Sequence, residues 1–182
     1  RELLFVDPEG APLPNRTVHV QLASHRFKFG CNAFLLDGPF DDPLQRAYRE
    51  RFAALLNYAT LPFYWGGYEQ SKGVTNERRL HRMAEWCAQE QIATKGHPLV
   101  WHEVFPQWAH ALPDGEVLAR LERRVKEIVA AFRGEVDIWD VVNEATVSHR
   151  FDHAIGRWIA DQGAPASVAQ ALRWAREANP AA

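Results

Sequence analysis

The sequence predicts an α/β fold in which parallel strands alternate with helices. After a β-rich lead-in, strand-like and helical patterns follow one another in about four units. Connections of helix length favour parallel neighbours, because a parallel strand needs a long return path. A doubly wound sheet and a barrel both fit this order. Gly66 and Gly67 lack the third spaced glycine and the lysine of a phosphate-binding loop, so the barrel is favoured over a nucleotide-binding sheet.

Residues 1–24 are predicted to form the β-rich lead-in, with strand-like stretches at 3–6 and 18–22 on either side of a turn rich in proline. The strand and helix units all lie in residues 25–182, and no low-complexity segment or linker interrupts them. A short lead-in followed by a single domain is therefore expected.

Four stretches of the sequence have the pattern of strands. The first alternates polar and apolar residues, and the last is a nearly continuous apolar run, which is typical of a parallel strand covered on both faces. Each is followed by a helical pattern, so the carboxyl ends of the strands are expected to share one face of the fold. The predicted strands are 26–30, 57–60, 92–101 and 136–145.

Four helices are predicted from apolar residues at helical spacing. The third is the clearest, because an apolar stripe runs from Val117 to Phe132 and Gly134 follows it. The stretch between the fourth strand and the fourth helix is expected to be irregular. The expected N-caps are Asp41 or Asp42 ahead of Pro43, then Asn76 and Asp114, and the fourth helix is expected to end at Asn179 before Pro180.

The composition excludes several classes of protein. A net charge of −2 with eight scattered histidines provides no basic surface, so no nucleic-acid partner is expected. No apolar run reaches the roughly 20 residues of a membrane span, and residues 1–5 lack the apolar region and the cleavage site of a signal peptide. Cys31 and Cys87 lie in apolar segments and are predicted to be reduced, buried thiols.

The fourth predicted strand ends in an amide and a carboxylate, since Asn143 and Glu144 follow Val141 and Val142 directly. In α/β barrels the catalytic groups lie at this end of the strands, where loops leave a rigid scaffold and a cleft excludes water. Glu144 is therefore the candidate catalytic acid. The alternative is that the Asn-Glu pair only caps the segment that follows.

Tryptophan is abundant, with seven residues in the chain, and three of these follow strand-like stretches. A flat apolar ring with a polar edge suits stacking against a sugar. Trp65, Trp101 and Trp108 are therefore candidate sugar-binding residues, the alternative being that they fill the core. Tryptophans within the predicted helices are expected in the core.

The end of the third strand carries two imidazoles, His97 and His102, with Glu103 beside the second. These three side chains could hold a metal ion, which leaves a metal-dependent hydrolase open as an alternative. A catalytic zinc site of the common type would use a His-x-x-x-His pair on a helix, and no predicted helix carries one. Hydrogen bonding of His97 to a sugar hydroxyl, with Trp101 under the ring, needs neither a metal nor another cofactor.

Three motifs resemble glycoside hydrolase family 10, the xylanase-type retaining β-glycanases. They are KGHPLVWH at 95–102, Pro106 with Trp108, and WDVVNE at 139–144. The resemblance implies a (β/α)8 TIM barrel, of which residues 25–182 form the N-terminal half, about the first four strand-helix units. It also implies cleavage of β-1,4-linked plant polysaccharide of the xylan type by a secreted or periplasmic enzyme.

The resemblance also implies roles for single residues. Glu144 is the acid/base, and Asn143 holds the 2-hydroxyl of the sugar at the cleavage site. His97 and Trp101 line the same subsite, and His102 supports them. These roles come from the matching motifs and not from the spacing of the residues.

The nucleophile is expected outside this chain. In the retaining mechanism a second carboxylate attacks the anomeric carbon, and the family supplies it from a Glu near the end of strand seven. Glu103 and Asp140 are the local substitutes to consider.

The chain departs from the family pattern at two places. Xylanases of the family usually have Glu-Asn and then Lys before the tryptophan at 65, whereas residues 61–64 here are Leu-Pro-Phe-Tyr. Ser or Thr and then Gln usually follow Trp-His, whereas Glu103 and Val104 stand here. Both changes remove polar contacts to xylose, so a more apolar wall that disfavours plain xylan is expected.

A degenerate glycan-binding module that never cleaves its ligand is the main alternative. The isolated chain is expected to be inactive and to self-associate, because half a barrel leaves two open sheet edges.

Overall fold

The computed structural model describes residues 3–23, 25–39, 41–136 and 138–181. Within them, four parallel strands form one sheet in the order β1-β2-β3-β4, so each strand lies beside its neighbours in sequence. Helices connect consecutive strands, as the sequence predicts. The strands are β1 (Gly30–Asn32), β2 (Tyr58–Pro62), β3 (Ala93–His97) and β4 (Ile138–Trp139).

Six α-helices accompany the sheet in the described residues. Helix α3 packs against β2 and β3, and α4 packs against α5 and α6. Short 3-10 turns at Gln107–Ala111 and Ser148–Arg150 lie in the connections that follow β3 and β4. The helices are α1 (Pro43–Leu55), α2 (Trp65–Tyr68), α3 (Glu77–Gln89), α4 (Asp114–Ala131), α5 (Ala154–Gln162) and α6 (Ala164–Ala178).

The helix starts follow the predicted caps with one exception. Asp42 caps α1, since its side chain accepts a hydrogen bond from the backbone N–H of Leu44 at 2.9 Å, and α3 begins directly after Asn76. Asp114 is the first residue of α4 instead of its cap. Its carboxylate accepts hydrogen bonds of 2.7 Å from the guanidinium of Arg157, so it joins α4 to α5 rather than capping its own helix.

Helix α5 occupies the stretch that was expected to be irregular. Ile155, Trp158 and Ile159 recur at helical spacing and are at most 5% exposed, so the sequence does carry the signal for this helix. Gly163, with a φ of 81°, ends α5 and starts the turn into α6. Gly156 has a packing role, because a Cβ there would collide with the backbone carbonyl of Phe151.

The first strand lies later in the chain than expected, at Gly30–Asn32 rather than 26–30. The side chain of Asn57 explains the shift. Its carbonyl accepts from the N–H of Phe29 at 2.7 Å, and its amide donates to the carbonyl of Phe27 at 2.8 Å. These backbone groups are therefore bonded to a side chain instead of a neighbouring strand, and the rings of Phe27 and Phe29 are 69% and 53% exposed.

The lead-in contains less β structure than expected. Its described residues form one isolated antiparallel bridge, between Val6 and Pro12, and no strand at 18–22. Proline at this bridge has no N–H to donate, which limits the ladder that can grow from it. The carboxylate of Asp7 instead holds the turn by accepting from the N–H of Ala11 at 2.8 Å. The boundary between residues 24 and 25 stays a prediction, and Ser24 lies outside the described residues.

The fourth strand is much shorter than the predicted stretch 136–145. Only Ile138–Trp139 form a regular strand, and Asp137 lies outside the described residues. The chain then continues beside the segment after β3, where the N–H of Val100 donates to the carbonyl of Val141 at 2.8 Å. Ile138 is 38% exposed, because β4 is the last strand of the described sheet and pairs only with β3.

The two cysteines have different environments. Cys87 is fully buried on α3, as predicted, whereas Cys31 is exposed, which corrects the expectation for that residue. Cys31 lies on β1, the other edge of the described sheet, and edge strands have one uncovered side. In the described part of the chain, no helix combines the length and apolar character of a membrane span.

Candidate active site

The carboxyl ends of β2, β3 and β4 lie side by side because the strands are parallel and adjacent. The segments that leave these ends carry Tyr64 after β2, Trp101 and His102 after β3, and Asn143 and Glu144 after β4. The sequence predicts that the chemistry lies at this edge. The structure brings Trp101, His102 and Glu144 into direct contact there.

Glu144 is held by the tryptophan that the sequence also selects. The indole Nε1–H of Trp101 donates to Oε2 of Glu144 at 3.0 Å. The Glu144 side chain is 52% exposed, so solvent reaches it in the described chain. Its backbone has a φ of 52°, a left-handed conformation that is uncommon for residues other than glycine. Such positions occur often at functional sites.

His102 lies behind the carboxylate and is 2% exposed. Its Nδ1 is 2.7 Å from Oγ of Ser148, and the hydroxyl of Ser148 donates to the backbone carbonyl of Glu144 at 3.2 Å. Since that hydroxyl has only one hydrogen, Nδ1 of His102 is the donor and Nε2 carries a lone pair. Nε2 is 3.8 Å from Oε2 of Glu144. Burial lowers the pKa of His102, against the opposing charges of Glu103 and Glu144, so the ring is neutral at pH 7.

His97 is fixed by a partner that the sequence analysis considered only as a substitute nucleophile. Its Nδ1 is 2.8 Å from Oδ2 of Asp140, and the ammonium of Lys95 lies 2.7 Å from the same oxygen. Burial raises the pKa of Asp140, but the hydrogen bonds from Lys95 and His97 outweigh it and hold that pKa below its ordinary value. Asp140 therefore orients His97 and leaves Nε2 of the ring for other partners.

Tyr64 lies beside two of the predicted sugar-binding side chains, His97 and Trp101. Its ring meets His97 edge to face at 5.5 Å and Trp101 at a tilt at 5.4 Å. The expectation that residues 61–64 form an apolar wall is therefore corrected. Leu61 and Phe63 are fully buried in the core, so only their neighbours can face a cleft. The alternation of side chains along β2 and just beyond it explains why Tyr64 is the residue that reaches the site.

Trp65 and Trp108 are less exposed than expected for sugar platforms. Trp65 is 5% exposed, at the start of α2, and its Nε1–H donates to the carboxylate of Glu69 at 2.9 Å. Trp108 is half-buried, meets Trp65 edge to face at 6.0 Å and donates to the backbone carbonyl of Glu69 at 2.9 Å. The indole of Trp65 is thus part of the core, whereas Trp101 is half-buried at the site.

Asn143 is half-buried next to Glu144, and its backbone N–H donates to the carbonyl of Val100 at 2.9 Å. This bond continues the pairing between the segments that follow β3 and β4. The two residues that contact Glu144 follow Val100 directly, so the pairing fixes the position of Asn143 relative to Trp101 and His102.

Arg124 supports the site from behind and was missed by the sequence analysis. It lies on α4, is 5% exposed, and donates to the backbone carbonyls of Phe63 and Leu99. These carbonyls belong to the segments that carry Tyr64 and Trp101. Burial lowers the pKa of Arg124 to about 10, so the guanidinium stays charged at neutral pH. An arginine inside the apolar stripe of α4 is the signal that could have identified it.

The ligand set expected for a metal changes in the structure. His102, Glu103 and Glu144 each place a ligand atom within 4.8 Å of the others, and this is the one such group among the described residues. His97, which the sequence analysis included, is instead engaged by Asp140. Two of the three expected ligands, His102 and Glu103, thus lie together with the candidate acid Glu144.

Comparisons with known proteins support the family resemblance that the motifs indicate. The model of glycosyl hydrolase family 10 matches residues 45–182. Endo-1,4-beta-xylanase B of Thermotoga neapolitana is 36% identical over 118 residues, which are 64% of this chain and 34% of the relative. The structure of xylanase 10B from Thermotoga petrophila in complex with xylobiose is 26% identical, with a TM-score of 0.67 over 85% of this chain and 47% of that chain.

A relative with a different name matches more of the chain. An anti-sigma-I factor of Acetivibrio thermocellus is 25% identical over 162 residues, which are 87% of this chain and 21% of the relative.

The chain spans about a third of the xylanase relative and about half of the solved xylanase structure. The solved neighbours are TIM barrels, so the predicted partial barrel is confirmed. Because the family model covers most of the sequence, this chain belongs to glycosyl hydrolase family 10.

Proposed function

We propose that this chain forms the acid/base half of a retaining β-1,4-glycosidase that acts on polysaccharide of the xylan type. The observation that carries the proposal is the contact between Trp101 and Glu144, at the end of β4 and beside Asn143. Xylanase relatives and a xylobiose complex among similar structures support the substrate class. The nucleophile lies in residues outside this chain.

The contacts of Glu144 assign its two oxygens different tasks. Oε2 accepts the indole hydrogen of Trp101, so Oε1 is the oxygen that carries the proton to the glycosidic bond. The proton moves to the leaving sugar while a second carboxylate, about 5–5.5 Å away, attacks the anomeric carbon. In the second step Oε1 removes a proton from water, which then displaces the enzyme carboxylate. Glu144 thus returns to its protonated form.

The neighbouring side chains bind the sugar in this proposal. His97, oriented by Asp140, presents Nε2 to a sugar hydroxyl, and Asn143 binds the 2-hydroxyl at the cleavage site. Trp101 supplies the aromatic face under the ring. We also propose that the protein acts outside the cytoplasm, where polymeric xylan is found.

The experiment is a comparison of two substrates in the intact protein that carries this chain. Glu144→Gln should lower kcat/KM on a natural glycan by about 10²–10⁴-fold. An aryl glycoside with a good leaving group needs little protonation, so its glycosylation step should lose far less. Glu127→Gln, an exposed change on α4, is the matched control and should behave like the wild type. Equal loss of the glycosylation step on both substrates would remove Glu144 from the acid role.

A second candidate is a glycan-binding module without turnover. The cluster of Tyr64, His97 and Trp101 favours it, because aromatic and imidazole side chains can bind a sugar without a nucleophile. The same experiment separates the two functions. An intact protein that binds xylo-oligosaccharides in calorimetry and hydrolyses neither substrate would be a binding module, and the catalytic proposal would fail.

A further inference from the structure

Three side chains with metal-binding atoms converge next to the proposed acid. One ring nitrogen of His102 and one carboxylate oxygen each of Glu103 and Glu144 lie within 4.8 Å of one another. One imidazole and two carboxylates are ligands of the kind that bind divalent transition metals. The imidazole favours zinc, copper or nickel over magnesium or calcium. The chemistry of the group therefore fits a transition-metal ion.

The imidazole is already oriented as a ligand. His102 is 2% exposed, and its Nδ1–H is fixed by Oγ of Ser148 at 2.7 Å. The remaining nitrogen, Nε2, lies 3.8 Å from Oε2 of Glu144, which is beyond hydrogen-bonding distance. A hydrogen bond to the second nitrogen is the usual way in which proteins orient a metal-bound histidine.

The distances leave room for an ion. Bonds from zinc to imidazole and carboxylate are about 2.0–2.2 Å long. An ion between Nε2 of His102 and Oε2 of Glu144 can therefore reach both atoms across 3.8 Å without a large movement. Glu103 and Glu144 are both exposed, so an ion can enter from solvent and keep water in its open positions.

Glu103 completes this group. It follows His102 directly in the sequence, and its carboxylate is a much stronger zinc ligand than a neutral hydroxyl would be. Without Glu103 the group would have two ligands instead of three. The carboxylate therefore turns a histidine–glutamate contact into a three-ligand set.

We propose that His102, Glu103 and Glu144 form a reversible binding site for a divalent transition-metal ion, and that the bound ion inhibits the enzyme. A carboxylate that binds a metal must be ionised, so Glu144 cannot donate a proton while the ion is present. The inhibition rests on the proposed function, whereas the binding does not. The ion is a regulator of the site and takes no part in the glycosidic reaction.

The test is a calorimetric titration of the intact protein with zinc chloride at pH 7 in a buffer that does not bind metals. We expect one ion per chain. Glu103→Gln keeps the size of the side chain and removes a ligand charge, and it should weaken binding at least tenfold. Glu90→Gln, an exposed change at the end of α3, is the control and should bind zinc like the wild type. No saturable binding, or equal affinity in Glu103→Gln and wild type, would overturn the proposal.

Two further measurements separate the binding from the inhibition. Ser148→Ala removes the partner of Nδ1 of His102 and should lower the zinc affinity about 10–100-fold. The variant is first shown to unfold cooperatively. Unchanged zinc affinity would contradict the orienting role of Ser148 and with it the site. Zinc should also inhibit hydrolysis in the wild type, with recovery on adding a chelator, and should inhibit Glu103→Gln only at higher concentration. If the protein hydrolyses no glycan, the proposed function fails while the binding result stands by itself. If zinc binds and activity is unaffected, the inhibitory half is wrong.

Discussion

Trp101 and Glu144 are 43 positions apart in sequence, and the indole Nε1–H of the first donates to Oε2 of the second at 3.0 Å. The bond joins the segments that follow β3 and β4. It gives one tryptophan two tasks, since the same ring that can stack against a sugar also positions the acid. A change at Trp101 therefore affects catalysis as well as binding.

The first prediction concerns the hydrogen bond of Trp101. Trp101→Phe keeps an aromatic face and removes the donor to Glu144. Hydrogen bonds to charged groups contribute about 1.5–3 kcal/mol, and the exposure of Glu144 places this one at the lower end. We expect kcat/KM on a natural glycan to fall by about tenfold in the intact protein. Trp86→Phe, on the buried face of α3, is the control and should change stability rather than the kinetics. Unchanged kinetics in Trp101→Phe would contradict the positioning role.

The second prediction concerns the buried guanidinium of Arg124. Arg124→Met leaves the carbonyls of Phe63 and Leu99 without their donor, at about 1–3 kcal/mol for each. We expect the free energy of unfolding in urea to fall by about 2–5 kcal/mol. Arg123→Met, on the exposed side of the same helix, should change it by less than about 0.5 kcal/mol. Equal effects of the two substitutions would show that the carbonyl contacts of Arg124 contribute little.

The third prediction concerns the dependence of stability on pH. Burial lowers the pKa of His153 from its ordinary value of 6.5, so below pH 6.5 the unfolded chain binds a proton more readily than the folded one. This contribution to stability is present above pH 6.5 and is lost as the pH falls through the lowered value. His153→Phe keeps the stacking on Phe105 and should weaken the dependence of stability on pH below pH 6.5.

The control for this prediction is His149→Gln, since His149 is exposed in the turn before α5. Unfolding in urea is measured at several pH values for the wild type and both variants. His153→Phe removes the hydrogen bond from Nε2 to the carbonyl of His102, so its stability should be lower at every pH. If the free energy of unfolding of His153→Phe depended on pH as it does in the wild type, His153 would not titrate differently in the folded and unfolded states.

The fourth prediction concerns the choice of substrate. Tyr64 lies in contact with His97 and Trp101, at the place where the resemblance described above leads us to expect a lysine. We expect the intact protein to favour substituted or different β-glycans over plain xylo-oligosaccharides. Tyr64→Lys should raise activity on the plain oligomers. Leu61→Asn should not, because that side chain is fully buried and an amide there would only destabilise the fold. Preferred hydrolysis of unsubstituted oligomers by the wild type would show this prediction wrong.

The fifth prediction concerns residues 1–182 expressed alone. The described sheet has open edges at β1 and β4, and Ile138 on β4 is 38% exposed. Open edges beside apolar side chains promote association, so we expect dimers or larger species in sedimentation, without glycosidase activity. Ile138→Lys should reduce the association, whereas Leu172→Lys on α6 should not. A cooperatively unfolding monomer that hydrolyses β-glycosides would contradict both expectations and would point to Glu103 as a nucleophile.

The sequence by itself determined the features that depend on local spacing. The alternation of strand and helix, a cap at Asp41 or Asp42 and the apolar faces of α3 and α4 all follow from neighbouring residues, and the fold confirms them, with Asp42 as the cap. The spacing of Ile155, Trp158 and Ile159 also carries the signal for α5. Such patterns can be read because helix and strand periods act within a few residues.

The tertiary structure decided which side chains meet. Asn57 holds the backbone at Phe29 and delays β1, and Ser148 orients a histidine 46 positions earlier in the chain. The same folding buries Leu61 and Trp65 while it leaves Tyr64 at the site. These outcomes depend on contacts between distant segments, and a hydrogen bond or a buried face between such segments leaves no periodic trace in the sequence. The strand end and the motifs could therefore predict Glu144 as the candidate acid, but only the packing of adjacent parallel strands selects its partners.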